Sequence, residues 1–234
     1  MARLIAALIR HGDYEQLPNT PSAHQPFALT ATGESQSRLA GSQLCEAIEQ
    51  NNWVLDTSID SSKLLRAWQT AQLIKETLVP CVDTAQSVEC FDVLAERCVG
   101  SVANLTVAQI EDIVTKDPRF PELPSDWKTN RHYKLPFQGA ESLLEAGQRV
   151  AGHLTQRMAN LRQVAKVDTL KLFVGHGAAF RHAAYHLGVL SLEQIPKLSM
   201  YHASAVFLEY LPNDQWSHVA GEWKLRPPKD GYLD

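Results

Sequence analysis

The chain has 234 residues, 44% of them hydrophobic and 21% charged, with a formal net charge of −4. These proportions fit one well-buried globular domain over residues 1–234, and the acidic balance argues against a nucleic-acid binder that relies on a wide basic surface. No apolar run approaches the ~20 residues needed to cross a bilayer, so no membrane partner is expected.

The apolar run near the N-terminus stops at Arg10, short of a signal peptide. Cys45, Cys81, Cys90 and Cys98 form no CxxC pair and no dense framework. They read as reduced thiols of a cytoplasmic protein.

In chain order, Leu4 to Ile9 is a continuous apolar run ending in Arg-His-Gly, the pattern of a buried parallel strand entering a loop. The loop from Asp13 to Leu29 carries Pro18, Pro21 and Pro26. Thr30 then offers a cap for a helix through Leu39, Leu44 and Ile48. A short strand is expected at Ser58 to Asp60, a helix from about Leu64 to Leu78, and a strand at Val88 to Val93. Thr106 caps a short helix to Val114. The stretch that follows holds Pro118, Pro121, Pro124 and Pro136 with few periodic apolar positions, and reads as an ordered insertion or lid over about 115–140. A long helix is expected from near Glu141 to about Leu161. Asp168 to Val174 is a buried strand, followed by His176-Gly177 and a helix to Leu187. Ala203 to Tyr210 and Ser217 to Trp223 complete the strands. Alternating strands and helices predict an α/β fold: a doubly wound, mostly parallel sheet with helices on both faces. Ligands in such folds sit beyond the carboxyl ends of the strands.

Two strands end in histidine-glycine. Arg10-His11-Gly12 closes the first, and Gly175-His176-Gly177 closes a late one, so both imidazoles should project at one sheet edge. The glycines should let backbone approach a ligand closely. The amides of Gly177 and Ala178 open a helix, a natural anion site. In Ser61-Ser62-Lys63-Leu64-Leu65-Arg66-Ala67-Trp68-Gln69-Thr70-Ala71 a strand leads into a helix with Arg66 on its first turn. A cation there is electrostatically misplaced unless an anion joins it, and guanidinium matches phosphate oxygens in bidentate geometry. A solvated surface arginine is the alternative reading of Arg66.

RHG near the start, SSKLLRAWQTA in the middle and GHG late together resemble the histidine phosphatase superfamily, which includes the cofactor-dependent phosphoglycerate mutases. The resemblance runs from Leu4 to about Leu187. It implies a four-residue phosphate pocket of Arg10, His11, Arg66 and His176, with His11 as the nucleophile that is transiently phosphorylated. His11 must be neutral to attack, and Arg10 and Arg66 should keep it so. The arginines and His176 would hold the equatorial oxygens. No metal and no cofactor are implied. The segment Leu94-Ala95-Glu96-Arg97-Cys98-Val99-Gly100 resembles the LxERxxG segment of the mutase branch, which makes Glu96 the general acid and later the base, with Asp13 as the fallback. A carboxyl set among acceptors and partly buried could hold its proton near neutral pH. Arg97, Gly177 and Asn19 are further candidates for binding substrate.

The chain also departs from the mutase pattern. The stretch after RHG is longer, so Asn19 matches only loosely, Cys98 and Val99 stand where mutases carry histidine and tyrosine, and the insertion has no paired arginines. This points to hydrolysis of a small phosphorylated metabolite. The alternatives are a phosphoprotein phosphatase, mutase-type transfer, or a non-catalytic phosphate-binding module. Gly139-Ala140-Glu141-Ser142 resembles the family's GGES, and Glu141 is expected in a helical first turn. Arg131, His132 and Lys134 read as a solvated part of the insertion. His182 and His186 have metal-compatible spacing but lack the glutamate of HExxH, and Trp216 and Trp223 read as strand packing.

Overall fold

The computed structural model describes residues 2–21 and 24–226. Its elements are β1 (Leu4–Arg10), α1 (Ala31–Asn51), β2 (Val54–Ser62), α2 (Leu65–Leu78), β3 (Ser87–Phe91), α3 (Val107–Lys116), α4 (Leu143–Val164), β4 (Thr169–Gly175), α5 (Gly177–His186), β5 (Leu198–Ser199), β6 (Ala205–Tyr210), β7 (Trp216–Ala220) and β8 (Lys224–Leu225). A six-stranded sheet has the order β3-β2-β4-β1-β6-β7, and β5 pairs with β8 in a separate two-stranded ribbon. Strands β1 to β4 run parallel, whereas β6 and β7 join antiparallel. The sheet is therefore mixed at one edge, where short loops after β6 permit a hairpin in place of a crossover helix.

β1 is buried along its length. Its Ile5, Ala7 and Ile9 pack with α1 and α2, while Leu4, Ala6 and Leu8 pack with α4 and α5. Both faces of the sheet are thus covered, as a strand without polar alternation requires. A third cluster, built from Val99, Val102, Ile110, Val114, Trp127, Leu135 and Ala140, gives the insertion its own small core.

Several expectations need correction. β2 starts at Val54, well before Ser58; exposed Val54 and Thr57 around buried Leu55 hid the pattern. The last expected strand ends at Ala220, because Gly221 turns at a φ of +77° and Trp223 lies outside the ladder. The long helix begins after Ser142, whose side chain accepts from Glu145 N while Glu145 returns a bond to Ser142 N. This capping box leaves Glu141 outside the first turn. The cysteines are not all reduced: Cys45 of α1 and Cys81 after α2 form a disulfide with Cα atoms 5.7 Å apart. The packing of α1 on α2 brings them together, which spacing in sequence could not reveal.

One charged cluster lies inside the α4 side of the sheet. Lys171 of β4 is 1% exposed and its ammonium reaches Asp56 at 2.8 Å, Asp60 at 2.9 Å and the Ser58 hydroxyl at 2.9 Å. Asp60 also accepts from His153 of α4 at 2.8 Å and from Arg157 Nη2 at 2.9 Å. Burial alone would raise the Asp60 pKa, but the bonds from His153, Lys171 and Arg157 outweigh it and hold the pKa below the ordinary carboxylate value. Removing one partner strands the rest in a dry environment. Lys171→Met is therefore expected to destabilise the protein by about 3 kcal/mol or more in urea unfolding at neutral pH. A change under about 1 kcal/mol, the range of exposed pairs, would show that the cluster contributes no more than surface charge.

Candidate active site

The register of β1 against β4 sets Arg10 opposite Gly175, and β2 against β4 sets Ser61 opposite Val174. His11, His176 and Ser62 consequently leave three adjacent parallel strands at their carboxyl ends. The His11 and His176 rings lie with centroids 5.1 Å apart.

Arg66 joins them from the first turn of α2 and is fully buried, which excludes a solvated surface arginine. Its Nε donates to His11 Nε2 at 3.2 Å, one Nη reaches His176 Nδ1 at 3.3 Å and the other donates to the Gln25 carbonyl at 2.9 Å. The Tyr14 ring lies under the guanidinium at 4.4 Å and meets His11 edge-on. Arg10 donates to the Met200 carbonyl at 3.1 Å. The expected four residues therefore converge.

The bonds fix the tautomers. His11 Nδ1 faces the Gly12 carbonyl at 2.7 Å, so it carries the proton and leaves the Nε2 lone pair toward Arg66. His176 accepts from Arg66 at Nδ1 and donates from Nε2 to the Ser62 hydroxyl at 2.9 Å. Burial first, then the charges of Arg66 and Arg10, hold the His11 imidazole well below its ordinary pKa. For His176 burial and Arg66 again lead, followed by His11. Burial thus does more than the arginines expected to do this work.

Motif residues outside the pocket fasten it. The Thr70 hydroxyl accepts from Gly12 N and donates to the Arg66 carbonyl, and Gln69 accepts from Leu29 N to pin the end of the loop. The glycines are also required by packing within the protein. A Cβ on Gly12 would come within 2.5 Å of the Gly33 carbonyl, and one on Gly177 within 3.1 Å of the Arg10 side chain.

Glu96 is 8% exposed, and its environment also differs from expectation. Its carboxylate accepts from Arg97 N at 2.8 Å, Ala179 N at 3.0 Å and Ala178 N at 3.1 Å. Its neighbours are donors, and the anion at the N-terminus of α5 is the protein's own glutamate. Behind it, Arg149 grips the Glu96 carbonyl at 3.0 Å and Glu141 at 2.6 Å, while Glu141 accepts from Cys98 N. Glu141 therefore braces the 96–98 segment.

Asp13 accepts from the Thr30 hydroxyl at 2.8 Å. Arg97 is half-buried and close enough to His182 to depress its pKa, although burial and Arg181 weigh more. Asn19 is exposed at a φ of +54°, its carbonyl accepting from Val107 N, and no bond ties it to the pocket. The side chains of His182 and His186 bond the Ala178 and Leu144 carbonyls respectively. Arg131 donates to the Leu192 carbonyl and Lys134 pairs with Glu145.

Sequence reasoning missed His202, whose ring lies 5.8 Å from His11. No motif marks it. It also treated Tyr14 as ordinary loop, although an aromatic residue so close after His11 was a usable signal.

Three comparisons bear on this geometry. A family model described as histidine phosphatase superfamily (branch 1) matches residues 6–221. A search of curated protein sequences finds no match. Among solved structures, one called mycobacterial hydrolase 1 is similar at 22% identity and a TM-score of 0.68, covering 94% of this chain and 97% of its own. A mycobacterial glucosyl-3-phosphoglycerate phosphatase gives 21% and 0.67, covering 96% and 97%. A phosphoglycerate mutase from Bacillus anthracis gives 15% and 0.71, covering 94% and 92%. At these identities the likeness concerns the fold.

His11, His176 and His182 are all buried with depressed pKa values, the last down to about 3. Below pH ~6.5 the unfolded chain takes up protons that these folded imidazoles refuse, so each costs about 1.4 kcal/mol per pH unit of acidification. Stability is thus fully present above that pH and should fall by several kcal/mol on moving from pH 7 to pH 5. Urea midpoints across this range provide the check, and a flat profile would contradict the neutral, buried imidazoles.

Proposed function

The chain belongs to the histidine phosphatase superfamily, branch 1, and from that premise we propose that it hydrolyses a small phosphorylated metabolite through a phosphohistidine on His11. The observation that carries this reading is the His11 Nε2 lone pair, held by the Gly12 carbonyl behind it and bonded to a buried guanidinium in front. A phosphoryl oxygen entering there takes over the Arg66 N–H, so the nucleophile and the charge that receives the phosphate arrive as a unit.

In the first step the His11 Nε2–P bond forms, the ester P–O bond breaks, and the leaving oxygen takes a proton. In the second, water attacks phosphorus, the N–P bond breaks, and inorganic phosphate departs. Arg10, Arg66 and His176 stabilise the equatorial oxygens in both. Glu96 is assigned the role of giving the first proton and accepting the second; its three backbone donors fix the carboxyl group in position but favour its ionised form, so it must take up a proton before the first step. The arginines supply the charge stabilisation that a metal ion would otherwise give at phosphorus, so the reaction as written uses no metal.

A small substrate is favoured by the placement of Gln25. It is fully buried and its carbonyl holds Arg66, so this part of the chain sits against the phosphate-binding cation where an extended peptide would need room. Mycobacterial glucosyl-3-phosphoglycerate phosphatase, by its name an enzyme of a phosphorylated metabolite, lends this the support of a shared fold.

The protein should release nitrophenol from p-nitrophenyl phosphate in the presence of EDTA. His11→Ala should lower kcat by about a thousandfold or more, and radiolabelled phosphate should appear on wild-type His11 alone. Turnover that survives the substitution would end the proposal. Glu96→Gln should cost about 10²–10⁴ in kcat on an alkyl phosphate and much less on p-nitrophenyl phosphate, whose leaving group needs little protonation. If Asp13→Asn produced that split and Glu96→Gln did not, Asp13 would be the acid.

A further inference from the structure

The segment from Met200 to Ala203 runs beside His11 and is held at both ends by Arg10. Arg10 Nη1 donates to the Met200 carbonyl at 3.1 Å, and Ala203 N donates to the Arg10 carbonyl at 2.8 Å. Between these bonds the chain makes a tight strap, with Ala203 at a φ of +46°, a left-handed conformation that costs a non-glycine residue energy. Such a conformation persists only where its surroundings enforce it. Here it sets the half-buried His202 ring beside His11, tilted by 33°, and leaves the Tyr201 ring 46% exposed.

The β5–β8 ribbon brings a further charge to the same place. Ser199, two residues before Tyr201, pairs with Lys224, and the ladder continues from Leu198 to Leu225. The Lys224 ammonium lies 5.8 Å from the Tyr201 ring centroid. Among the described residues Lys224 forms no ion pair. It is nevertheless near enough to contribute to lowering the His202 pKa, which burial and then Arg10 push down to about 4 against the opposing pull of Asp13. His202 is neutral at physiological pH, and Asp13 is already engaged by the Thr30 hydroxyl.

We propose that Tyr201, His202 and Lys224 form a leaving-group subsite for substrates that carry a second acidic group, a carboxylate or another phosphate, beyond the phosphoryl group being cleaved. The reading rests on the phosphatase function above. Arg10, Arg66 and the two imidazoles engage the scissile phosphoryl group, His202 walls the path out of the pocket, and Lys224 supplies the charge at its end. The β5–β8 pairing fixes the backbone from which the exposed Lys224 side chain reaches such a group.

The test uses two matched substrate pairs and steady-state kinetics on the intact protein. 3-Phosphoglycerate against glycerol 3-phosphate isolates a carboxylate, and fructose 1,6-bisphosphate against fructose 6-phosphate isolates a second phosphate. Wild type should prefer the acidic member of at least one pair in kcat/KM, and which pair responds identifies the group. Lys224→Gln should shrink that preference by roughly tenfold through KM, Lys224→Glu should invert it, and Lys224→Arg should restore it. His202→Ala should raise KM for both members alike, since it removes a wall and no charge. Absence of any preference in wild type, or equal losses on both members in Lys224→Gln, would overturn the subsite. So would a larger change of preference in His202→Ala than in Lys224→Gln. Failure of wild type on every substrate, p-nitrophenyl phosphate included, would instead strike the phosphatase reading itself.

Discussion

The site is organised around one buried cation. Arg66 is fully enclosed, and its guanidinium is held by a backbone carbonyl, two imidazole nitrogens and the face of a tyrosine ring. A positive charge taken out of water makes its surroundings respond. It adds to burial, the larger cause, in keeping a second proton off either neighbouring histidine, so both stay neutral. It fixes which nitrogen of each ring is the acceptor. It also ties three distant pieces of chain, the ends of β1 and β4 and the start of α2, to one point.

Much of this was legible in sequence because it is local. A strand ending in His-Gly, repeated on a second strand, predicts two imidazoles at one edge once the strands are parallel. An arginine in the first turn of α2 is anomalous by itself. What escaped was set by contacts between segments far apart. His202 reaches His11 only because Arg10 clasps the 200–203 strap from both sides. The Cys45–Cys81 bond follows from two helices lying side by side. The capping box at Ser142 was present in plain S-x-x-E form, and the error was to give Glu141 the role that belongs to Glu145. Glu141 braces the Glu96 segment instead, a job that no local pattern announces.

Glu96 carries a related lesson about helix ends. The N-terminus of α5 looked open to an anion from solution, and it is served by a side chain from a different part of the fold. A dipole at a helix start indicates that a negative group will be found there without indicating whose it is. Here the arrangement couples Glu96 to the helix that follows His176, so the two candidate groups keep a fixed spacing.

The long loop after Gly12 is sealed at its base. Thr30 N bonds the Asp13 carbonyl, Tyr14 bridges to Leu29, and Gly12 and Gly33 touch backbone to backbone. Everything between those ties is an excursion whose two ends stay put whatever its length or composition. From within the excursion the Gln25 carbonyl reaches in to hold Arg66. A designer who kept that contact could exchange the remainder for a stretch of another size and retune which molecules enter. The same separation would let descendants of one ancestor share a reaction while diverging in diet.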